Sequence, residues 1–198
     1  MSSREKILAA VARNQPEAVA LPDLNALKDA AQLAEPADLL EKYITVLTGI
    51  GGTAYQVGSY EDITGILNVQ FPEGRIVNTV TELHPHHQSH VFEDDIHSLE
   101  NVELAIIKAH FAVAENGAVW VTEELMGKRV LPFICQHLVV IVPANQVVAT
   151  MHKAYEQISN RSYGYGAFIA GPSKTADIEQ SLVLGAHGPR SMNVFLLG

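Results

Sequence analysis

From Gly171 to Glu179 the chain reads Gly-Pro-Ser-Lys-Thr-Ala-Asp-Ile-Glu. An apolar strand should end there, a Gly-Pro turn follow, and hydroxyl residues lead into a helix expected over Thr175 to Leu184. Such a junction aims unpaired main-chain N–H groups at one place, and anions bind readily at such places. Gly171, Ser173 and Thr175 would form the cradle, and Lys174 would add a point charge for a phosphate or carboxylate. The GxxxxGK[ST] spacing of a P-loop is missing. The same residues also suit a plain N-cap by Ser173 or Thr175, with Asp177 and Glu179 favoured by the helix dipole, so both readings stand. Downstream, Gly185-Ala186-His187-Gly188-Pro189-Arg190 has the composition of a tight loop of fixed shape. His187 and Arg190 are its groups suited to polar recognition. With Gly188 between them, and with Asp177, they complete the candidate ligand-binding set.

Glu115-Asn116-Gly117 lies between two expected strands. A carboxylate at a strand end in a sheet-mouth cleft can act as nucleophile or general base once burial or neighbours tune it, which makes Glu115 the candidate catalytic residue. Asn-Gly is equally the preferred two-residue hairpin turn. His84, His86, His87, His90 and His97 crowd together near Glu93, Asp94 and Asp95. Imidazoles and carboxylates can bind zinc, yet His-Pro-His-His breaks regular structure and no HExxH spacing is present, so a polar loop is expected and no metal site is assigned. Gly164-x-Gly166 and Gly49-x-Gly51-Gly52 fail as dinucleotide fingerprints, since neither gives GxGxxG between a strand and a helix. Phe111, Trp120 and Phe133 read as core or sheet packing.

The elements that must position these groups follow from periodicity. Residues 1–13 read as an amphipathic helix, and 14–36, with Pro16, Pro22 and Pro36, as an irregular lead-in. Residues 37–198 form the expected domain. Leu39, Leu40, Tyr43, Ile44 and Leu47 share one helical face, and Gly49, Gly51 and Gly52 stop that helix. Strands are expected at 53–57, 75–80, 102–108, 110–114, 118–121, 138–142, 167–170 and 192–197. Helices are expected at 60–67, 146–158 and 175–184, with a helical turn near 128–134. Runs such as Leu138 to Val142 lack in-out alternation, which suits strands covered on both faces. The fold class is therefore α/β, a three-layer α/β/α domain with a mostly parallel sheet.

Composition narrows the function. The 198 residues are 47% hydrophobic, enough for one sizeable core, and carry 13 basic against 22 acidic side chains for a formal charge of −9. That balance argues against nucleic acid as a partner. No apolar run approaches the roughly 20 residues needed to span a bilayer, and the first residues lack a signal-peptide pattern, so a cytoplasmic protein is expected. The single cysteine, Cys135, leaves no internal disulfide and no multi-thiolate iron–sulfur site in this chain. It is expected to be a buried small hydrophobe.

Residues 171–197 closely resemble the C-terminal signature of the lactate-utilization protein C (LUD-domain) family, commonly GPS, a basic residue, TADIE, then LVLG, HGP and a hydrophobic strand. Residues 109–121, 138–143 and the stretch after Gln146 also fit. The resemblance implies a fold similar to glucosamine-phosphate and ribose-phosphate isomerases and coenzyme A transferases. It further implies a part in oxidising L-lactate to pyruvate alongside two iron–sulfur partner proteins, with no cofactor in this chain and clusters only on the partners. Glu115-Asn116-Gly117 resembles the turn on which one class of coenzyme A transferases carries its nucleophilic glutamate, although this family more often shows Glu-Thr-Gly. Three expectations follow: a non-redox component binding a small anionic ligand near Ser173, Thr175 and His187; an acyl or coenzyme A transferase-like or sugar-phosphate isomerase-like enzyme using Glu115; or a non-catalytic regulatory subunit.

Overall fold

The computed structural model describes residues 2–17, 19–20, 36–83, 95–159, 161–176 and 182–198. Helix α1 (Ser3–Arg13) opens with a capping box in which Ser2 and Glu5 satisfy each other's main-chain N–H. It buries no residue, and Ile7, Leu8 and Val11 stay exposed. Most of the expected lead-in, residues 21–35, lies outside the described residues. Helix α2 (Pro36–Gly49) then turns Tyr43 and Leu47 inward, as the spacing of its apolar residues requires.

Five strands make a parallel sheet: β1 (Thr53–Val57), β2 (Ile76–Asn78), β3 (Leu104–Lys108), β6 (His137–Pro143) and β11 (Ser191–Leu197). Their order is β1-β11-β6-β3-β2. Successive residues of the central strands serve opposite cores. Leu104, Ile106, Val139, Ile141 and Phe195 pack with Ile63 and Leu67 of helix α3 (Tyr60–Gln70). Ala105, Ile107, Leu138, Val140 and Val194 pack with Tyr43 and Leu47 of α2. Helices therefore cover both faces in the expected three-layer order, and uninterrupted apolar strands are the consequence.

A second, four-stranded sheet shares the layer of α2. It comprises β4 (Phe111–Val113), β5 (Ala118–Thr122), β7 (Val147–Val148) and β8 (Gly166–Ala170) in the order β7-β4-β5-β8, with β4 and β8 antiparallel to β5. Ala112, Val119, Val121 and Ile169 face the parallel sheet. Phe111, Val113, Ala118 and Trp120 face outward onto Ala154 and Ile158 of helix α6 (Met151–Ile158). Between them lie two short helices, α4 (Glu123–Met126) and α5 (Leu131–Ile134). Phe133, expected to pack, is 38% exposed.

Two helix expectations are corrected. The stretch from Gln146 begins as a strand, with Val147 and Val148 paired to Ala112 and Val113, and the helix starts only after Thr150, whose hydroxyl accepts from the Lys153 N–H. Paired β-branched residues favour the sheet edge, and a threonine cap sets the later start. The helix expected over 175–184 is absent from its described parts, which form the antiparallel strands β9 (Lys174–Ala176) and β10 (Leu182–Leu184). Residues 177–181, Asp177 among them, lie outside the described residues. No helix among the described residues is long and apolar enough to cross a membrane.

Candidate functional site

Strand β8 ends at Ala170, and Gly171 turns the chain at φ 70°, a left-handed conformation that favours glycine. A Cβ there would lie 3.1 Å from the Ile50 carbonyl oxygen. Both main-chain groups of Ser173 are occupied. Ser173 N–H donates to the Pro189 carbonyl at 2.8 Å, and Gly185 N–H donates to the Ser173 carbonyl at 3.1 Å. Lys174, Thr175 and Ala176 pair with Leu184, Val183 and Leu182. The amides expected to open as a helix N-terminus thus belong to a hairpin and a loop.

The structure does bring the two candidate ligand segments together. A Cβ on Gly188 would sit 3.0 Å from Ser173 Cβ, and one on Gly185 would collide with Arg190 Cγ at 2.4 Å. Lys174 approaches Gly51, while Lys174, His187 and Arg190 are all exposed. Arg190 N–H donates to the Gln136 carbonyl, one residue before β6, so this cluster lies at the amino ends of β6 and β11. Ligands of open α/β sheets usually sit at the opposite, carboxyl end. Beside it, Ser191 Oγ and His137 Nδ1 are 2.7 Å apart, and His137 Nε2 is 3.5 Å from Glu103 Oε1. This row fastens the starts of β11, β6 and β3 in a polar seam.

Glu115 is exposed in the β4–β5 connection, and its Oε2 accepts the N–H of Met151, the first residue of α6, at 2.7 Å. Carboxylates are favoured at such helix starts. Asn116 Oδ1 accepts from Ala118 N–H, and Gly117 sits at φ 72° with its N–H on the Val113 carbonyl. The motif builds the hairpin and ties it to a helix. The histidine-rich segment lies outside the described residues from 84 to 94, and His97 is exposed. Among the described residues no three His, Cys, Asp or Glu side chains converge to hold a metal ion.

Cys135 is 1% exposed, and burial pushes its thiol up to about 12. At neutral pH the nucleophilic thiolate is almost absent. A thiol reagent such as DTNB should leave the native chain unlabelled and react once per chain in guanidinium chloride. Rapid labelling of the native protein would contradict this burial.

A hollow that the sequence did not announce opens just past the carboxyl end of β3. About 310 Å³ in volume, it is lined by His110, Thr122, Glu124, Arg161, Ser162 and Tyr163. Thr79 Oγ1, just past β2, donates to the Leu125 carbonyl and so holds α4, with Glu124, at the same edge. His110 Nε2 and Thr122 Oγ1 are hydrogen-bonded at 2.8 Å. Burial first, and then the Arg161 guanidinium, lower the His110 pKa, so its imidazole is held neutral. A histidine two residues beyond a strand that is apolar up to its last residue, Lys108, was the available signal.

A model of the LUD domain family matches residues 81–197. Lactate utilization protein C of Shouchella clausii is 34% identical over 105 residues, covering 48% of this chain and 45% of that relative. Lactate utilization protein C 1 of Bacillus mycoides is 31% identical over 103 residues, 49% of this chain and 44% of the relative. The chain thus spans less than half the length of these curated relatives. A solved structure of a DUF162 family protein from Deinococcus radiodurans superimposes with a TM-score of 0.63 at 18% identity, over 83% of this chain and 99% of that one. That likeness shows the fold.

Proposed function

Since the chain belongs to the LUD domain family, we propose that it serves lactate utilization, as a non-redox component that binds a small anionic ligand and works beside iron–sulfur partner proteins in oxidising L-lactate to pyruvate. One observation carries this reading. The family match at 81–197 takes in β3, β6 and β11, the whole second sheet and every wall of the hollow at His110, and the curated relatives that overlap it are named for lactate utilization. A single, buried cysteine gives the chain no thiolate set for an iron–sulfur cluster, so electron transfer falls to partners. Deletion of the gene in its native cell is expected to abolish growth on L-lactate while sparing growth on pyruvate. The tagged chain should co-purify with cysteine-rich proteins carrying iron–sulfur absorbance. Unchanged growth on lactate together with no such association would overturn the proposal.

A further inference from the structure

From the walls of the hollow at His110 we infer that it is a binding site for a short 2-hydroxy or 2-oxo monocarboxylate, with Arg161 receiving the carboxylate and the His110–Thr122 pair meeting the neighbouring oxygen. That the occupant is one of the lactate system's own acids rests on the preceding reading. That the hollow takes a short monocarboxylate does not.

Arg161 lies just beyond α6, with its main-chain N–H on the Ile158 carbonyl, and it has no ion-pair partner among the described residues. Glu123 pairs with Arg129, which leaves Glu124 as the acid of the wall. One guanidinium and one carboxylate make a hollow of no net charge, since the imidazole is held neutral. With Glu124 in the wall, a monocarboxylate leaves the hollow one charge negative and a phosphate dianion two, so a single guanidinium, which pairs one carboxylate fork to fork, favours the monocarboxylate of the two. The polar groups left over suit a neutral oxygen. His110 and Thr122 already share a hydrogen bond, and Ser162 and Tyr163 bring two further hydroxyls to the wall. Such a pair of ring nitrogen and hydroxyl can donate to a keto oxygen or accept from a hydroxyl.

One wall is packed against the second sheet. Tyr163 stands edge-on to Trp120 at 5.3 Å, and Trp120 lies against Phe168 at 4.6 Å. A Cβ on Gly166 would strike the indole at 2.4 Å, so a residue without a side chain lets the ring lie flat there. The position, at the carboxyl end of a parallel strand, is where open α/β sheets usually receive ligands.

The test is an NMR titration that follows the ring signals of His110, assigned through His110→Gln, while pyruvate, L-lactate, acetate or inorganic phosphate is added to the full chain. Pyruvate or L-lactate should shift those signals and saturate. Arg161→Gln, a change at an exposed position that should leave the melting temperature in place, should weaken the binding about tenfold or more. Glu124→Gln should strengthen phosphate binding. No saturable shift with any carboxylate, binding indifferent to Arg161→Gln, or phosphate binding wild type as tightly as pyruvate would each overturn the assignment. Growth on lactate reports separately. Loss of growth on deletion with no carboxylate binding sinks this site alone, and Arg161-dependent binding with unchanged growth sinks the lactate reading alone.

Discussion

Gly117→Val should destabilise the chain by about 3–5 kcal/mol, the sum of a left-handed backbone imposed on a β-branched residue and of overpacking. Gly117 has φ 72°, and a Cβ there would lie 3.0 Å from Ile50 Cδ1 and 3.1 Å from Leu47 Cα. The backbone of α2 cannot step aside cheaply, because Leu47 is fully buried in the main core. For a chain of this size the loss corresponds to a fall of roughly 6–20 °C in Tm. Asn116→Ala, which removes only the acceptor for Ala118 N–H, should cost about 1 kcal/mol. Glu115→Gln keeps an oxygen for the Met151 N–H and should change stability little. Thermal melts of the three variants check the ranking. If Gly117→Val melts within a degree or two of wild type, the close packing of this turn against α2 is refuted.

The same turn shows what a sequence can disclose. Gly117 could be read as a turn because its conformation is a local property, but the use of Glu115 could not. Its partner, Met151, lies 36 residues on and reaches it only once β7 has paired with β4. The strands of the parallel sheet were legible for a related reason. Leu138 to Val142 needs apolar neighbours on two faces, and that demand is written into every residue of the run. Val147 and Val148 were absorbed into a helix because edge pairing is a non-local event that overrides a weak helical pattern. Thr175 and Val183 failed likewise, each other's partner across a hairpin eight residues apart.

The two candidate sites differ in the same respect. The Gly171 and Gly188 segments are contiguous motifs, so the sequence displayed them, and the structure brings them into contact at the amino ends of the sheet. What the sequence could not supply was the setting of their amides, with the Ser173 N–H on the Pro189 carbonyl and residues 174–176 in the β9–β10 pair. The walls of the hollow at His110 come from the end of β3, the end of β5 and a loop after α6. No spacing rule links residues 110, 122 and 161, because antiparallel pairing of β5 with β4 and β8 is what gathers them.

Phe195→Ala is expected to destabilise the protein by about 3–5 kcal/mol, the usual range for deleting a buried phenyl ring. Phe195 is fully buried in the middle of β11, paired with Tyr55 on one side and Ile141 on the other. Its ring stacks on Tyr55 with centroids 4.9 Å apart and joins Ile63 and Leu67 of α3 in one core cluster. Removing it opens a cavity where two strands and a helix meet. Phe195→Leu keeps most of the volume and should lose less than about 1.5 kcal/mol. Urea unfolding would read both, as a lowered midpoint with an unchanged slope. The ring serves the α3 core, whereas the hollow at His110 has its walls on the other side of the sheet, around the second sheet and α4. Below its own melting range Phe195→Ala should therefore bind pyruvate as wild type does, since sites without shared partners act almost independently. Loss of binding in the folded variant would mean that the parallel sheet transmits strain from one core to the other, and the separation of the two cores would have to be abandoned.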